Sequence, residues 1–367
     1  MPEFAIPSTQ RQRLLVFNLR TDADDHILGF TTRWLNELAR YYQHMDVLTT
    51  HQGRLAISDN VTVYSTGREQ GLSRSRQLWR FYRMLWTLTA RHRYDACFAH
   101  MQPMFATLSA PILQLRGVPI ITWYTHRQLN RMVQSAERVS FRVVSAVPSS
   151  FPIASPKLRA IGHGIDTAFF TPDERQPSQP PRIVQVARLT AIKHQHVLLN
   201  AVRDLDCEVV LIGDIPDGYD DAYKRQLYQQ VESLQLTDRV IFAGAQTPEQ
   251  VRDWYQSATL AVNLSPPGLF DKGALEAMAC GLPTIVSNPA FAPLTGTYQS
   301  QLHISAPDDD TQLHTQLKAM LALSQAERQI IGADLRAGVV AHHSLDVLIP
   351  RLITVMHTGE LAQFEVR

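Results

Sequence analysis

Cysteine is scarce in this sequence. Three residues, Cys97, Cys207 and Cys280, stand far apart among apolar neighbours. An odd number without metal-ligand spacing excludes a disulfide framework and a zinc site, so all three read as buried thiols in a reducing compartment. Neither sign of charge is in excess, with 35 Lys and Arg against 34 Asp and Glu. That balance excludes a nucleic-acid binder or an acidic tail at the level of the whole chain, and it makes any charge-based function local. No run of about 18 apolar residues occurs, and the opening MPEFAIPSTQRQR lacks the basic-then-apolar order of a secretory signal. The expectation is a cytoplasmic chain that does not span a membrane.

What the 367 residues do contain is material for two domains, since a domain usually takes roughly 100 to 200. Short aliphatic or β-branched runs alternate with helical patterns: LLVFNL (14–19), MDVLTT (45–50), VTVYST (61–66), ACFAHM (96–101), PIITWYTH (119–126) and VSAV (144–147). That alternation predicts an α/β fold with a parallel sheet covered on both faces. The stretch TPDERQPSQPPR near 171–182 buries little and reads as a linker. Six further runs follow: RIVQVA (182–187), CEVVLIGD (207–214), RVIFAGA (239–245), TLAVNLS (259–265), PTIVSN (283–288) and LHIS (302–305). They predict a second doubly wound domain. The expected division is 1–172, 173–345, and a C-terminal helical segment, 346–367, with helical apolar spacing suited to packing on either domain.

The second half carries the informative constellation. In VARLTAIKHQHVLLNAV a strand ends at Ala187, and Arg188 and Lys193 follow before an apolar helix. Cations at the carboxyl end of a strand, beside a helix N-terminus, suit a diphosphate, although an ordinary solvated turn has the same composition. In SPPGLFDKGALEAMACGLPTIVSN, Gly268, Gly273 and Lys272 precede or open a helix carrying Glu276. Glycines there let backbone N–H groups approach phosphate or sugar oxygens, and the Glu276 carboxylate can accept two ribose hydroxyls. An acid in a first helical turn is also a common stabilising placement.

Together with IGHGIDTAFFTP, these blocks make the sequence resemble the retaining glycosyltransferases of the large family four (glycosyl transferases group 1), over roughly residues 160 to 290. The resemblance implies the GT-B architecture, two Rossmann-like domains facing a central cleft, and a nucleoside diphosphate sugar as donor. It assigns Arg188 and Lys193 to the donor diphosphate and Glu276 to the ribose. Gly268 stands where the family often has a first glutamate, so that carboxylate is absent. The phrase FDKGALEAMA resembles a branch of the family with an Asp-Lys pair in this loop. The expectation is that backbone amides from Leu269 through Phe270 to Gly273 meet sugar and phosphate, with Asp271 orienting a sugar hydroxyl or Lys272; a helix N-cap role for Asp271 is the alternative. The nucleotide base is expected near Gly213, Gly244 and Gln246, and UDP, GDP and ADP donors stay open. No tightly bound cofactor or metal is required, because the leaving phosphate is thought to take the acceptor proton in this family.

The first half is expected to read the acceptor hydroxyl. Gly29 opens an amphipathic helix after an acidic turn holding Asp22, Asp24, Asp25 and His26, and the resemblance implies that this first βα turn, with Gly29 but without the family's usual glycine pair, lies near the donor phosphates. Hydrogen bonding of Asp25 and His26 to acceptor hydroxyls is the preferred reading, over a helix-capping loop or a metal site. His126, at the end of PIITWYTH, is the candidate to touch the sugar or acceptor, with His100 at a neighbouring strand end and His163, between Gly162 and Gly164, at the domain junction. The segment 74–93 combines Arg74, Arg76, Arg80, Arg83, Arg91 and Arg93 with Trp79, Phe81, Tyr82 and Trp86. Such a helix suits an anionic membrane surface and a lipid-linked acceptor, or simply one packed face and one solvated basic face. Rival functions are a sugar epimerase or phosphorylase on the same architecture and a catalytically silent nucleotide- or carbohydrate-binding protein.

Overall fold

The structure, a computed structural model, describes residues 13–25, 28–173, 178–216 and 218–361. It divides into two units, residues 1–161 with 349–367, and residues 162–348.

In the first unit β1 (Arg13–Thr21), β2 (His44–Gln52), β3 (Val61–Ser65), β4 (Ala96–His100), β5 (Ile120–Trp123), β6 (Arg142–Ser145) and β7 (Leu158–Ala160) form one sheet. The order is β3-β2-β1-β4-β5-β6-β7, and every pair is parallel. Helices α1 (Phe30–Ala39), α2 (Arg74–Arg91), α3 (Pro103–Leu115) and α4 (Arg131–Val139) connect the strands. Leu14 to Phe17 and Ala96 to Ala99 are almost wholly buried, as central strands covered on both faces must be. Each fully buried Leu or Phe contributes about 1.5–3 kcal/mol from the apolar surface it removes from water.

The second unit repeats the plan with β8 (Arg182–Val186), β9 (Glu208–Ile212), β10 (Val240–Gly244), β11 (Leu260–Asn263) and β12 (Thr284–Val286), in the order β10-β9-β8-β11-β12. Its first helices are α5 (Gln195–Ala201), α6 (Ala222–Ser233), α7 (Pro248–Ser257) and α8 (Lys272–Ala279). α7 starts where it does because Thr247 and Gln250 form a reciprocal capping box and Pro248 occupies the first helical position. In both sheets the strand order reverses beside the first strand of the unit, between β1 and β4 and between β8 and β11. Ligands of open α/β sheets bind outside the carboxyl ends of strands at such a point.

Three expectations differ from the structure. LHIS forms no strand: His303 makes a single bridge to Val286. A strand at Leu158–Ala160 went unread, being three half-buried residues with little apolar character. The units part at Ile161 rather than at 172. Residues after 161 belong with the second unit because Ile165 bridges Ser344, and the Arg336 guanidinium donates to the carbonyls of Thr167 and Phe170. Part of the Pro- and Gln-rich stretch, 174–177, lies outside the described residues. The terminal helix Leu345–Thr358 carries the chain from the second unit back into the first.

Candidate functional site

The carboxyl edge of the second sheet gathers residues far apart in sequence. After β8 the chain turns through Arg188 and a short helical turn, Ala191–Lys193, and His194 takes a left-handed conformation (φ 53°) before α5. Two buried glutamines hold this loop. Gln185 donates to the Lys193 carbonyl at 2.7 Å, and Gln195 donates to the Arg188 carbonyl at 2.9 Å. Lys193 is thereby turned inward and buried, whereas Arg188 stays exposed.

The Lys193 ammonium donates to Ser265 Oγ at 3.0 Å and pairs with Asp271. Asp271 also accepts from Ser265 Oγ at 2.8 Å and from Asn263 Nδ2 at 3.2 Å. Burial disfavours its charged form, but the Lys193 charge and the three donors outweigh it and hold the carboxyl below the ordinary Asp value. Asp271 precedes α8 yet makes no side-chain cap bond to it. Its carboxylate points to Lys193 rather than to Lys272 or the helix amides, which corrects the readings of it as a partner of Lys272 and as a helix N-cap. The reason is electrostatic: a buried ammonium is a stronger partner than neutral N–H groups.

Lys272 instead pairs with Glu276 at 2.6 Å across one helical turn, and Glu276 is itself 5% exposed. Gly273 passes close to β8, where a Cβ would lie 3.0 Å from the Val186 carbonyl, and its own carbonyl accepts from Tyr255 Oη at 2.8 Å. The Phe270 side chain is not at the site surface; it stacks on Phe291 at 4.4 Å in the core, leaving only its backbone for a ligand. Gly268 (φ 87°) turns the loop, and the Leu269 amide is bound to the Pro266 carbonyl at 3.1 Å. Gly213 (φ 131°) packs against the β8 end so tightly that a Cβ would meet the Ala187 carbonyl oxygen at 2.2 Å. Its amide donates to Gly244, and Gln246 folds back on the Ala243 carbonyl at 2.5 Å.

Sequence reasoning missed Ser265, Asn263, Gln185 and Gln195. The signal for the first pair was present: Asn and Ser two apart at the end of an apolar strand lie on one side of it. The glutamines gave none, since their roles depend on a loop closing over them. A cavity of about 660 Å³ in this unit opens elsewhere, near Thr259 and Pro283 at the amino ends of β11 and β12, and is unrelated to the site.

In the first unit the candidates have other company. Asp25 accepts from the Leu28 amide at 2.7 Å and pairs with Arg20, and Asp22 accepts from the amides of Asp24 and Arg54. The carboxylates of the acidic turn are thus engaged by loop amides and by Arg20 and Arg54 ahead of Gly29, the N-cap residue of α1, which has no side-chain cap bond. His26 lies outside the described residues. Among the described residues no three His, Cys, Asp or Glu are grouped to hold a metal ion. His100 is buried among Phe30, Trp34, Phe98 and Trp123, and this desolvation pushes its pKa down to about 3, so it is neutral at ordinary pH. That burial corrects its reading as a surface contact for an acceptor. β5 stops at Trp123, so His126 lies in the loop beyond it, exposed and edge-on to Tyr124. His163 belongs to the second unit, where its amide donates to His343 Nδ1 at 3.3 Å. The three cysteines are free and buried.

α2 packs Phe81, Leu85 and Leu88 inward and leaves Trp79 62% and Trp86 54% exposed. Arg83 and Arg116 lie over these two rings at 4.8 and 5.6 Å, and no acidic residue occurs from Leu72 to Tyr94. No helix among the described residues is long and apolar enough to cross a membrane.

Comparison with known proteins meets this geometry in the second unit. Residues 166–333 match the family described as Glycosyl transferases group 1. D-inositol 3-phosphate glycosyltransferase of Mycolicibacterium smegmatis is 27% identical over 213 residues, 55% of this chain and 47% of that protein. The enzyme of the same name from Paenarthrobacter aurescens is 24% identical over 235 residues, 53% of this chain and 56% of that one. The chain thus spans about half the length of the curated relatives it matches. Sucrose-phosphate synthase from Thermosynechococcus elongatus superimposes with a TM-score of 0.75 at 18% identity, covering 95% of this chain and 99% of that one. HepE of Anabaena, solved in complex with UDP, gives 0.72 at 16% identity over 95% and 100%. Both likenesses establish the GT-B-like α/β fold. The stretch that carries Arg188, Lys193, Asp271 and Glu276 lies within the residues that match the glycosyl transferases group 1 family.

Proposed function

We propose that this protein transfers a sugar from a nucleoside diphosphate sugar to an acceptor hydroxyl with retention of anomeric configuration. The observation that carries the reading is the Lys193–Ser265–Asp271 cluster at the β8/β11 reversal, beside the Lys272–Glu276 pair. An ammonium has three donors. Ser265 and Asp271 engage two of those on Lys193, which leaves one for a phosphate oxygen. Lys193 and Lys272 pair with Asp271 and Glu276, and Arg188 adds a third cation, exposed in the loop that leads to Lys193. The surplus resides on Arg188, whose guanidinium has no partner among the described residues. Arg188 is therefore the charge a diphosphate meets first, and Lys193 the one held rigid beneath it. The free carboxylate oxygen of Glu276 suits a ribose hydroxyl.

In the reaction, the bond from the anomeric carbon to the diphosphate breaks and a bond to the acceptor oxygen forms on the same face. The acceptor proton passes to the departing phosphate. Negative charge grows on that phosphate as the bond breaks, and preorganised cations lower the barrier at that moment. UDP stands first among UDP, GDP and ADP because HepE, of the same fold, was solved with it. The basic aromatic face of α2 supports an anionic membrane surface as the place of work, with a lipid-linked acceptor.

The test is thermal stabilisation by UDP, GDP, ADP and their sugars, repeated with Arg188→Ala and Glu276→Ala. A ligand at about a hundred times its Kd stabilises by about 2.7 kcal/mol, a shift of several degrees. One nucleotide should raise Tm, and both variants should lose the shift. No shift with any nucleotide would return the chain to a silent binding role. Retention is checked by the anomeric proton coupling of the product in NMR.

A further inference from the structure

The first unit holds a cavity that the donor chemistry does not use. It measures about 610 Å³, within the range of small-molecule sites. Leu19 of β1, Thr50 of β2 and Thr66 just beyond β3 form its floor, so it opens at the carboxyl edge of the sheet, where α/β folds bind ligands.

Its walls are apolar and unusually open to water. Leu78 on α2, Met104 on α3 and Met132 on α4 line it, and these side chains are 42%, 37% and 43% exposed. Phe81 closes it from below and is buried. Three large apolar side chains from three helices converging on one opening make a contiguous patch, and such patches mark binding surfaces. Two methionines add adaptability, because an unbranched thioether side chain reshapes at little cost.

Two guanidiniums, Arg68 and Arg74, also line the cavity and are exposed. Neither side chain has a hydrogen-bond or ion-pair partner among the described residues. Their neighbour Arg80 differs, being held by Gln70 at 2.8 Å. An apolar chamber flanked by two unsatisfied cations is complementary to one kind of molecule. Its tail should be apolar and its head anionic.

We infer that this cavity is the acceptor site for a single-chain anionic amphiphile that also carries the hydroxyl to be glycosylated: the chain lies against Leu78, Met104 and Met132, and a phosphate or carboxylate head is bound by Arg68 and Arg74. The assignment as acceptor site rests on the transferase reading above; the binding of the amphiphile does not.

The probe is n-octyl phosphate below its micelle concentration, titrated calorimetrically into the full chain, with 1-octanol and inorganic phosphate as separate controls. Octyl phosphate should bind at least tenfold more tightly than either control. Arg68→Ala with Arg74→Ala should weaken octyl phosphate tenfold or more and leave octanol unchanged. Leu78→Asn should weaken octyl phosphate and octanol alike. All three positions are exposed, so the variants should fold, and an unchanged UDP response would verify that. Equal affinity for octyl phosphate in wild type and both variants, or no binding at all, would overturn the inference. If octyl phosphate binds as described while no nucleotide does, the cavity stands and the transferase reading falls.

Discussion

The carboxyl edges of the two sheets are built from the same topology and opposite chemistry. At the second, Lys193, Asp271, Lys272 and Glu276 are drawn inward as two ion pairs and tied by serine and asparagine hydrogen bonds. At the first, the inward positions belong to Trp34, Trp123 and a neutral His100, and a separate opening has leucines, methionines and two arginines in its lining. One strand order therefore serves two recognition problems. A rigid charged edge suits phosphates, whose position must be fixed as charge develops on them. An aromatic and thioether edge suits a partner recognised by shape and apolar area. The cores beneath are interchangeable in kind, and the difference lies at the strand ends and in the loops and helices that follow them.

The largest effect expected from breaking that contrast is at Lys193. Lys193→Met leaves Asp271 largely buried without its ammonium, a loss of roughly 2–4 kcal/mol by analogy with broken buried pairs. Turnover should fall by about a hundredfold to a thousandfold, the usual consequence of removing one preorganised charge from a leaving group. Adding Asp271→Leu removes the orphaned carboxylate. The double variant should recover most of the lost Tm and none of the turnover. Recovery of both would mean that the pair is structural only.

How far the sequence revealed this contrast follows from how local each feature is. Strands such as ACFAH and VVLI were legible because burial on both faces leaves a continuous apolar run. The placement of Arg188, Lys193 and Glu276 at the carboxyl edge of the second sheet was legible because their blocks carry the resemblance, while their roles toward a donor belong to the proposal. The partner of Asp271 was not, since the preference for Lys193 over the adjacent Lys272 is decided by a contact spanning 78 positions. His100 misled for the opposite reason. A histidine ending a strand looks available, and only the arrival of Trp34 from α1 and Trp123 from β5 encloses it. The cavity at Leu78, Met104 and Met132 was invisible because those residues come from three helices, each with an ordinary apolar face.

Acid sharpens the comparison. His100 has a folded pKa of about 3 against an unfolded value near 6.5. The unfolded chain thus binds a proton more readily, and stability of the first unit declines as pH falls below about 6.5, by up to about 5 kcal/mol near pH 3. Asp271 works in a lower window. Its folded pKa lies below the ordinary carboxylate value, so its contribution is complete above about pH 4 and disappears as pH falls through the folded value. Hydrogen exchange followed by peptide mass analysis should find the first unit loosening at a higher pH than the second. His100→Phe should abolish that difference, and an unchanged order of loosening would show that His100 is not its source.

The smallest effect concerns the outer face of α2. Each arginine near an anionic bilayer is worth about 1 kcal/mol, and screening reduces that within a Debye length of roughly 10 Å at moderate salt. Cosedimentation with phosphatidylglycerol vesicles should therefore be visible at low ionic strength and lost at high. Trp79→Ala with Trp86→Ala should weaken it modestly without moving Tm, because both rings are more than half exposed. Arg83→Ala should act in the same direction, since its guanidinium lies over the Trp79 ring and reaches the surface with it. The cavity at Arg68 and Arg74 predicts something separate: those two substitutions should weaken octyl phosphate binding tenfold or more while reducing vesicle binding only by the charge they remove. If they instead eliminate vesicle binding and the tryptophan variants leave it intact, the membrane is held through the cavity, and the outer face of α2 is only a solvated basic surface.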